Sequence, residues 1–598
     1  DEEKLVFDHS DEVNDPTIVV NPRQIFDEEE PEEVEERAVE KKNNNGKGKQ
    51  ILEKLEMPLD NPEVIISNRK DLCDYQFDGA FKLAKLYHKS SLDIASLMVE
   101  KMKGHNYFSQ VDFVAPGFVN FTLSDTFINE TLNDMLTSPF YNIKKPEKKT
   151  IVIDYGGPNI AKPLHVGHLR SAVVGESIKR MLKFMGHTVI SDVHLGDYGL
   201  QIGQVIYGLQ EKSIAPHEIT LSMLEEIYPQ MSQLCKENEE VKTKCALITK
   251  ELQDGNETYQ KYFKVIRKLS GDDIKRIYDY LDVSFDYWYG ESDSYPYIEM
   301  LTKDLEAKNL LEESEGAKII EVKKETDTKE LPPLIYQKSN GAYLYGTTDL
   351  GTIKERVLDF NPDEILYVAD RRQNLHFESV FRVCEKLGLR QKFEFLGFGT
   401  VNGKDGKPFK TRSGHTPKLD DLFKETKEIF TTSSEKNQNM SEEDLDILVN
   451  AIIKFADLQN NREKDYIFDI AKFSQTTGKT GPYILYTYLR VQNILKQFNL
   501  NDIKLNNTIY NKEDRDLRLK LVELEQVINL AVEDKMPSVI ANYIYDLCVN
   551  MNAFYENNHI NNLKEEEKKQ NWLCILNLTN SIIKDLLNIL SIKIPERM

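Results

Sequence analysis

The sequence predicts an α/β multidomain protein built on a doubly wound parallel sheet, with a small α/β domain before the sheet and an all-α bundle after it. Three observations predict this. The buried strand IVIDYG leads through a loop into an amphipathic helix and a second strand, which is the opening of a parallel sheet. Helices and strands alternate again near residues 345–400. Beyond about residue 418 only long helical periods remain, and 598 residues are too many for one hydrophobic core.

The first 48 residues form an acidic segment of their own. Residues 1–40 hold 16 acidic and 3 basic side chains, which is more than half of the formal net charge of −22. Such a polar stretch cannot bury enough apolar surface to offset the entropy lost on ordering, so we expect a flexible extension over 1–48. The rest of the chain is only mildly acidic. The overall charge therefore does not exclude an RNA partner.

Three domains follow this segment. Alternating apolar positions such as FVNFTL predict strands, with two helices, of a small α/β domain over 49–140. The parallel sheet is predicted over 141–415, and the charged periodic stretch at about 205–330 predicts a helical insertion between its two halves. The last domain, 416–598, has helical periods and no strand pattern, which predicts a helix bundle.

The elements of the parallel sheet are predicted in order. LRSAVVGESIKRMLKFMG is an amphipathic helix that ends at Gly186, and HTVISD restarts a strand. After the insertion, TTDLGTIKERVLDF predicts a helix, DEILYVAD a strand, LHFESVFRVCEKLG a helix and KFEFLGFG a strand. Because such sheets bind ligands where the strand order reverses, we expect the site at the loop after the first strand.

The cysteines and the longest apolar runs constrain the compartment. None of the six cysteines has CxxC spacing, which favours buried, reduced side chains in a reducing compartment. No apolar run approaches the roughly 18–20 residues of a membrane span, so we expect no membrane partner and a cytoplasmic location. The sequence begins at Asp1, so an upstream targeting segment stays open. The oligomeric state stays open too, a monomer included.

The strongest chemical motif is HVGH, at the junction between the first loop and the following helix. A helix N-terminus offers unpaired N–H groups and partial positive charge, which suit a polyphosphate. His165 and His168 lie on one side of the first turn and can donate to phosphate oxygens, while Gly167 lets a ligand approach. An isolated HxGH is often a pair of packing or surface histidines, but this position in the sheet favours a nucleotide site.

A glycine-flanked basic loop, GKDGKPFKTRSG, follows the last predicted strand. Its glycines make it mobile, and Lys407, Lys410 and Arg412 are candidates to fold over a triphosphate and neutralise the departing pyrophosphate. A solvated basic loop is the alternative. Paired with the two histidines across the sheet, the loop favours ATP binding.

Several strings together resemble the arginyl-tRNA synthetases, a class I aminoacyl-tRNA synthetase family: PNIAKPLHVGHLRS, HLGDYG, GKPFKTRSG, GPYILYTYLRVQ and the closing PERM. The resemblance runs from about Gln50 to Met598. It implies a Rossmann-like catalytic domain, an N-terminal tRNA-contacting domain and a C-terminal anticodon-binding bundle. It also implies ATP-dependent activation of L-arginine and transfer to the 3′ end of tRNA(Arg), with Mg²⁺ arriving as Mg-ATP and without a dedicated protein cage.

The resemblance further implies residue roles in the active site. A lysine beside the first histidine, here Lys162, compensates for the degenerate basic loop. The guanidinium of arginine is met by Glu291 and Asp349, with Tyr345 packing on the plane of the ligand. Two carboxylates suit this planar five-donor fork, and lysine would leave one of them unpaired. The two ends of the substrate's backbone map onto Asp154, Asn159 and Gln373. Ordinary helix or strand-end residues are the alternative for Tyr345, Asp349 and Gln373.

The family's contacts with tRNA map onto two regions of the chain. In the N-terminal domain they imply Tyr75 and Gln76, for which packing inside the domain is the alternative. In the helix bundle, Tyr483 and Tyr486 lie on one face and are candidates for stacking on anticodon bases, with Met598 at the C-terminus. An aromatic pair at helical spacing is also a common core feature.

Two rival functions use the same motifs. Another class I synthetase or a nucleotidylyltransferase would share HxGH, but the helical C-terminal third and the pair of Glu291 and Asp349 argue against both. A non-catalytic RNA-binding protein descended from a synthetase is disfavoured by the intact His165, His168 and Lys410.

Overall fold

The computed structural model describes residues 19–20, 64–67, 69–328, 331–407, 409, 417–498 and 504–598. Two compact units account for the chain. The first is drawn from residues 1–144, 491–530 and 546–581, and the second from 145–490, 531–545 and 582–598. The helices predicted over 416–598 are therefore divided between the two units.

The first unit contains a five-stranded antiparallel sheet in the order β1-β2-β3-β5-β4. Its strands are β1 (Val19–Val20), β2 (Val64–Ile66), β3 (Tyr75–Phe77), β4 (Phe108–Val114) and β5 (Phe118–Leu123). Its first helices are α1 (Ala80–Tyr87), α2 (Ser91–Met102) and α3 (Asp125–Thr137). The extension predicted over 1–48 lies outside the described residues except for β1. Those two residues pair with β2, and the flexible extension stays a prediction.

The second unit opens with the predicted strand, helix and strand. They are β6 (Thr150–Tyr155), α4 (Val166–Phe184) and β7 (Thr188–Asp192). Ile151, Val152 and Ile153 in β6 are buried in succession, as in a strand covered on both faces of a parallel sheet. Gly186 has a φ of +92°, a conformation that favours glycine, so the predicted end of α4 is confirmed.

The insertion is mostly helical, but it ends in a small sheet that we did not predict. Its helices, counted from the one that follows β7, are α5 (Leu200–Glu211), α6 (Leu221–Glu237), α7 (Glu239–Gln253), α8 (Glu257–Tyr280) and α9 (Glu291–Ala307). The sheet contains β8 (Glu312–Ser314), β9 (Ala317–Ile320) and β10 (Leu334–Gln337), all antiparallel. Glu315 and Gly316, with φ of +50° and +78°, make the tight turn between β8 and β9.

The second half of the parallel sheet follows as predicted. Its elements are α10 (Tyr345–Phe360), β11 (Glu364–Asp370), α11 (Asn374–Leu387) and β12 (Lys392–Phe398). The strand order is β12-β11-β6-β7, and every neighbouring pair is parallel. The chain goes from β6 to β7 on one side and to β11 on the other. The carboxyl ends of β6 and β11 therefore flank the crevice at which such a sheet binds ligands.

The C-terminal third is helical with one small exception. The helices are α12 (Leu419–Thr432), α13 (Glu435–Gln438), α14 (Glu442–Leu458), α15 (Ile470–Phe473), α16 (Gly481–Leu495), α17 (Lys512–Val522), α18 (Leu524–Glu533), α19 (Pro537–Asn557) and α20 (Glu566–Ile589). The exception is β14 (Tyr466–Ile467), which pairs in parallel with β13 (Val401–Asn402). A strand of two residues carries no alternation, which is why the sequence did not indicate it.

The cysteines are buried free thiols, as predicted. Cys235 and Cys245 have sulfurs 3.6 Å apart inside the insertion. In the described ranges, no helix combines the length and the apolar composition that crossing a bilayer requires.

Candidate active site

A cavity of about 590 Å³ opens at the carboxyl ends of β6 and β11, in the second unit. This is the edge where the strand order reverses, as the fold predicts for a ligand site. The cavity brings together nine of the predicted site residues: Asp154, Asn159, His165, Gly167, His168, Glu291, Tyr345, Asp349 and Gln373.

The two motif histidines cap the first turn of α4 reciprocally. Nδ1 of His165 accepts the N–H of Gly167 at 3.0 Å, and Nδ1 of His168 accepts the N–H of His165 at 3.1 Å. The ring centroids lie 4.0 Å apart. A nitrogen that accepts a hydrogen bond carries no proton, so we assign the tautomer with the proton on Nε2. Each ring thus keeps one N–H donor for a ligand.

The same two rings are held neutral. Burial, followed by the neighbouring His165 and Lys162, lowers the pKa of His168 to about 3. Burial and Lys162 also lower the pKa of His165. Near neutral pH both imidazoles are therefore uncharged donors at a helix N-terminus, where the backbone supplies partial positive charge of its own.

Gly167 makes room for the ring of His165. A Cβ at this position would lie 2.8 Å from Cε1 of His165, closer than real Cβ contacts come. From the sequence, this glycine is predicted to let a ligand approach closely. The structure adds a second reason for it, because a side chain here would displace the histidine that caps the helix.

Two carboxylates from different helices line the same cavity. Glu291, the first residue of α9, is 7% exposed and accepts the N–H of Tyr198 at 3.2 Å. Burial raises its pKa to about 7. Asp349, on α10, has Oδ2 2.5 Å from Nε2 of His376. Tyr345 lies one turn before Asp349 on the same helix and is 58% exposed, so its ring is open to a ligand.

The carboxylate of Asp154 is paired with a buried arginine that we did not predict. Nη2 of Arg356 donates to Asp154 at 2.6 Å and to Asp192 at 2.8 Å. Arg356 is 1% exposed, and its two neighbours stand at the ends of β6 and β7. The guanidinium neutralises one of the two acidic charges at this edge of the sheet.

Three cavity residues or their partners were missed by the sequence analysis: His194, Arg356 and His376. Arg356 and His376 bond to carboxylates far away in the sequence, and none of the three residues belongs to a spacing that predicts a site. The string HLGDYG was noted as part of the resemblance, and it could have drawn attention to His194.

The residues that follow the basic loop in sequence, from Pro417 onward, lie next to the histidine pair. The carbonyl of Pro417 accepts the N–H of Val166 at 3.3 Å, and the N–H of Leu419 donates to Leu164 at 3.0 Å. These bonds flank His165. Lys410 and Arg412 lie outside the described residues, so their predicted roles stay predictions.

The remaining basic residues are placed outside the cavity lining. Lys407 is exposed in a turn closed by a hydrogen bond from Gly403. Nζ of Lys162 lies 4.6 Å from the ring centre of Tyr228, a cation–π contact with the insertion. In this arrangement Lys162 influences the two histidines through its charge.

The residues predicted to contact tRNA differ in exposure. Tyr75 is 4% exposed in the core of the first unit, which favours the packing alternative and leaves its ring unable to stack on a base. Gln76 donates to Asn120 at 2.9 Å. In the second unit, Tyr486 is 45% exposed, while Tyr483 is half-buried against Tyr545. Met598 is half-buried.

Three family models match the chain. The class I tRNA synthetase (R) catalytic domain matches residues 131–470, which is more than half of the chain. The arginyl tRNA synthetase N terminal domain matches residues 47–123, and the DALR anticodon binding domain matches residues 484–598. The chain belongs to the arginyl-tRNA synthetase family of class I. The predicted family, fold class and enzyme class are confirmed.

Curated relatives and solved structures agree with this assignment. The chain is 40% identical over 562 residues to the arginine–tRNA ligase of Alkaliphilus oremlandii, covering 90% of this chain and 95% of that protein. It is 41% identical over 572 residues to the arginine–tRNA ligase of Agathobacter rectalis, covering 90% and 96%. The arginyl-tRNA synthetase structure from Plasmodium falciparum superposes with a TM-score of 0.78 at 25% identity, covering 92% of this chain and 98% of that one. The Thermus thermophilus arginyl-tRNA synthetase shares the fold, with a TM-score of 0.77 at 20% identity and coverages of 92% and 99%.

Proposed function

We propose that the chain activates L-arginine with ATP and transfers it to tRNA(Arg), using the cavity between β6 and β11 for both steps. One observation carries the proposal. A pair of neutral imidazole donors at a helix N-terminus and a pair of carboxylates from α9 and α10 line the same cavity. The first pair suits a polyphosphate and the second suits a guanidinium.

We assign the arginine side chain to Glu291 and Asp349. Each carboxylate can accept from the planar fork of a guanidinium, and Tyr345 has an exposed ring beside them. The low exposure of Glu291 supports selectivity, because a ligand without the second donor edge would leave a buried acceptor unpaired. The backbone end of the substrate is assigned to Asp154, Asn159 and Gln373, which line the cavity nearer to the strand ends.

We assign the phosphates of ATP to His165 and His168. Their Nε2–H groups are the free donors, and Gly167 keeps the ring of His165 in place. Lys162, Lys407, Lys410 and Arg412 are proposed to contribute positive charge. Pro417 and Leu419 hydrogen-bond to Val166 and Leu164, the two neighbours of His165. These bonds bring the residues after the basic loop to the histidines, which supports the proposed contribution of the loop.

Two in-line displacements follow from this arrangement. A carboxylate oxygen of arginine attacks the α-phosphorus of ATP, forms the mixed anhydride and expels pyrophosphate, while the imidazoles stabilise the phosphate charge. A terminal hydroxyl of tRNA then attacks the carbonyl carbon, loses its proton and expels AMP. No nucleophile from the protein enters either step.

Mg²⁺ is proposed to enter bound to ATP. Among the described residues, Asp154, Asp192 and His194 offer ligand atoms within 4.8 Å of one another. Arg356 already occupies the two carboxylates of this group, so these residues do not fit a dedicated cation site. When bound, the ion would supply neutralising charge to the phosphates.

Tyr486 and Tyr483, with Met598, are proposed to contact the anticodon region. The exposure of Tyr486 supports stacking on a base. The ring of Tyr483 packs against the ring of Tyr545. Gln76 remains a candidate in the N-terminal domain. The burial of Tyr75 removes it from this proposal.

An aminoacylation assay across the twenty amino acids, with tRNA present, tests the function. We expect ATP consumption and charged tRNA with arginine alone. Charging with glutamate or cysteine would instead indicate another class I synthetase. Binding of tRNA without any charging would indicate the non-catalytic alternative.

A further inference from the structure

His194 lies in the wall of the cavity, and the two nitrogens of its imidazole are buried without a hydrogen-bond partner among the described residues. Neither Nδ1 nor Nε2 makes a hydrogen bond to any described residue, although both atoms are shielded from solvent. The nearest carboxylate oxygen, from Asp192, lies 3.9 Å from Nδ1, which is too long for a hydrogen bond. Buried polar atoms are normally satisfied, so a ring left open toward a ligand cavity indicates that the ligand completes it.

Charged groups on four elements surround this imidazole. They are Asp154 on β6, Asp192 on β7, Glu291 on α9, and Asp349, Glu355 and Arg356 on α10. Five acidic side chains therefore face one guanidinium and one imidazole. His376, the other histidine of the cavity, is already bonded to Asp349. The empty pocket has an excess of acidic groups, and His194 is placed among them.

The electrostatic balance favours the protonated form of this ring. Burial alone would lower the pKa of His194, and Arg356 acts in the same direction. The carboxylates, Asp154 first, outweigh both and raise the pKa above its ordinary value. A cationic ligand that reaches the same carboxylates would cancel their effect and leave burial to act alone.

We propose that His194 is a further arginine-contacting residue, which holds a proton in the empty pocket and releases it when the cationic substrate arrives. The inference rests on the proposed arginine pocket. One N–H bond of the imidazolium breaks, its electron pair stays on the ring nitrogen, and the proton passes to the buffer. The neutral ring then has a lone pair that accepts an N–H of the substrate.

Proton exchange of this kind adds to selectivity. A neutral amino acid brings no charge to replace the proton, so the imidazolium stays in place and occupies the pocket. Glu291 adds a second linked group, because its pKa of about 7 means that guanidinium binding also drives a proton from its carboxyl. Any test must therefore separate the two residues.

L-arginine is titrated into the full chain at pH 6.5 in a calorimeter, in two buffers with different heats of ionisation. The difference between the two binding enthalpies gives the number of protons released. The test variants are His194→Asn and His194→Gln, whose amides cannot titrate. Asparagine tolerates the φ of +43° at this position, and glutamine is the second variant if the first fails to fold. Glu291→Gln isolates the share of His194, and His217→Gln, an exposed histidine of the insertion, is the matched control.

We expect the amide variants to bind arginine about tenfold more weakly and to release fewer protons than the wild type. The slope of log affinity against pH should become shallower by up to about one, since each linked proton contributes a tenfold change per pH unit. The Glu291→Gln variant should still release the proton that comes from His194. The His217→Gln variant should match the wild type in arginine affinity and in the number of protons released.

The two possible failures can be told apart. Wild-type proton release by both folded amide variants, with unchanged arginine affinity, overturns the role of His194. No arginine binding by the wild type, with ATP still bound, overturns the proposed pocket itself. Loss of arginine binding by the variants, with unchanged melting temperature and ATP affinity, supports the contact, and loss of ATP affinity as well overturns it.

Discussion

The two ends of the cavity are built in opposite ways. At the end to which we assign the phosphates of ATP, called the phosphate end below, His165 and His168 are fixed by backbone hydrogen bonds within a single helical turn, and their rings are neutral. At the acidic end, Glu291 and Asp349 come from two helices, and their neighbours include His194, whose ring has no hydrogen-bond partner in the part of the chain that the structure describes. One end is set by local geometry and the other by the charges of distant segments.

From this difference we expect the two ends to respond differently to pH and to mutation. A donor pair that is neutral and held by the backbone should work alike over a wide pH range, and it should depend on atomic position. A cluster of carboxylates should depend on its charge balance, and its members should be coupled to one another. Removing one residue at a time from each end tests this division.

The largest effect is expected from His168→Ala, which removes one donor at the phosphate end. The kcat of aminoacylation should fall by about 10²–10³, the usual loss for one preorganised donor, while tRNA affinity stays within twofold. His168→Asn separates catalysis from capping, because its Oδ1 can still accept the N–H of His165. This variant should keep the melting temperature and lose the activity. Full activity in His168→Asn would show that the ring serves the helix alone.

A smaller effect is expected from Asp349→Asn at the acidic end. A hydrogen bond to a charged group contributes about 1.5–3 kcal/mol, so kcat/KM for arginine should fall by about 10- to 100-fold, mainly through KM. Asp359→Asn is the matched control, since Asp359 is an exposed residue of the same helix that contacts Tyr297. The assignment of the pocket is wrong if the two variants lose arginine affinity equally.

The smallest effect is a difference in histidine titration in the wild type. With the histidine rings isotopically labelled, the NMR signal of His168 should not move between pH 5 and 8, because its pKa is about 3. The signals of His194 and His376 should titrate above the range of a free imidazole, since carboxylates raise both pKa values against the effect of burial. Variants lacking each ring assign the signals. A midpoint near 6.5 for His168 would remove the contrast between the two ends.

The phosphate end could be predicted from sequence because it is continuous in sequence. A strand, a loop, two histidines at i and i+3 and a helix all fall within 150–184, so local rules predicted that His165 and His168 lie at the cavity. The acidic carboxylates were found through the resemblance. Nothing in the periodicity of α9 or α10 distinguishes Glu291 or Asp349 from the other acidic residues nearby.

The missed features depend on distances that no spacing records. Arg356 is an interior residue of α10, and it becomes important only because β6 and β7 bring Asp154 and Asp192 to the same edge. The burial of Tyr75 is a related case, since the pattern of a short strand did not decide between its two alternatives, a tRNA contact and packing in the core. The turn at Glu315 and Gly316 was a signal that could have been used for β8 and β9.

Arg356 carries the same functional group as the side chain of the substrate. Without it, Asp154 and Asp192 would be two unpaired carboxylates beside the proposed pocket, and a second guanidinium could bind them. Because Arg356 already pairs with both, a fixed residue of the protein closes that position to a cationic ligand.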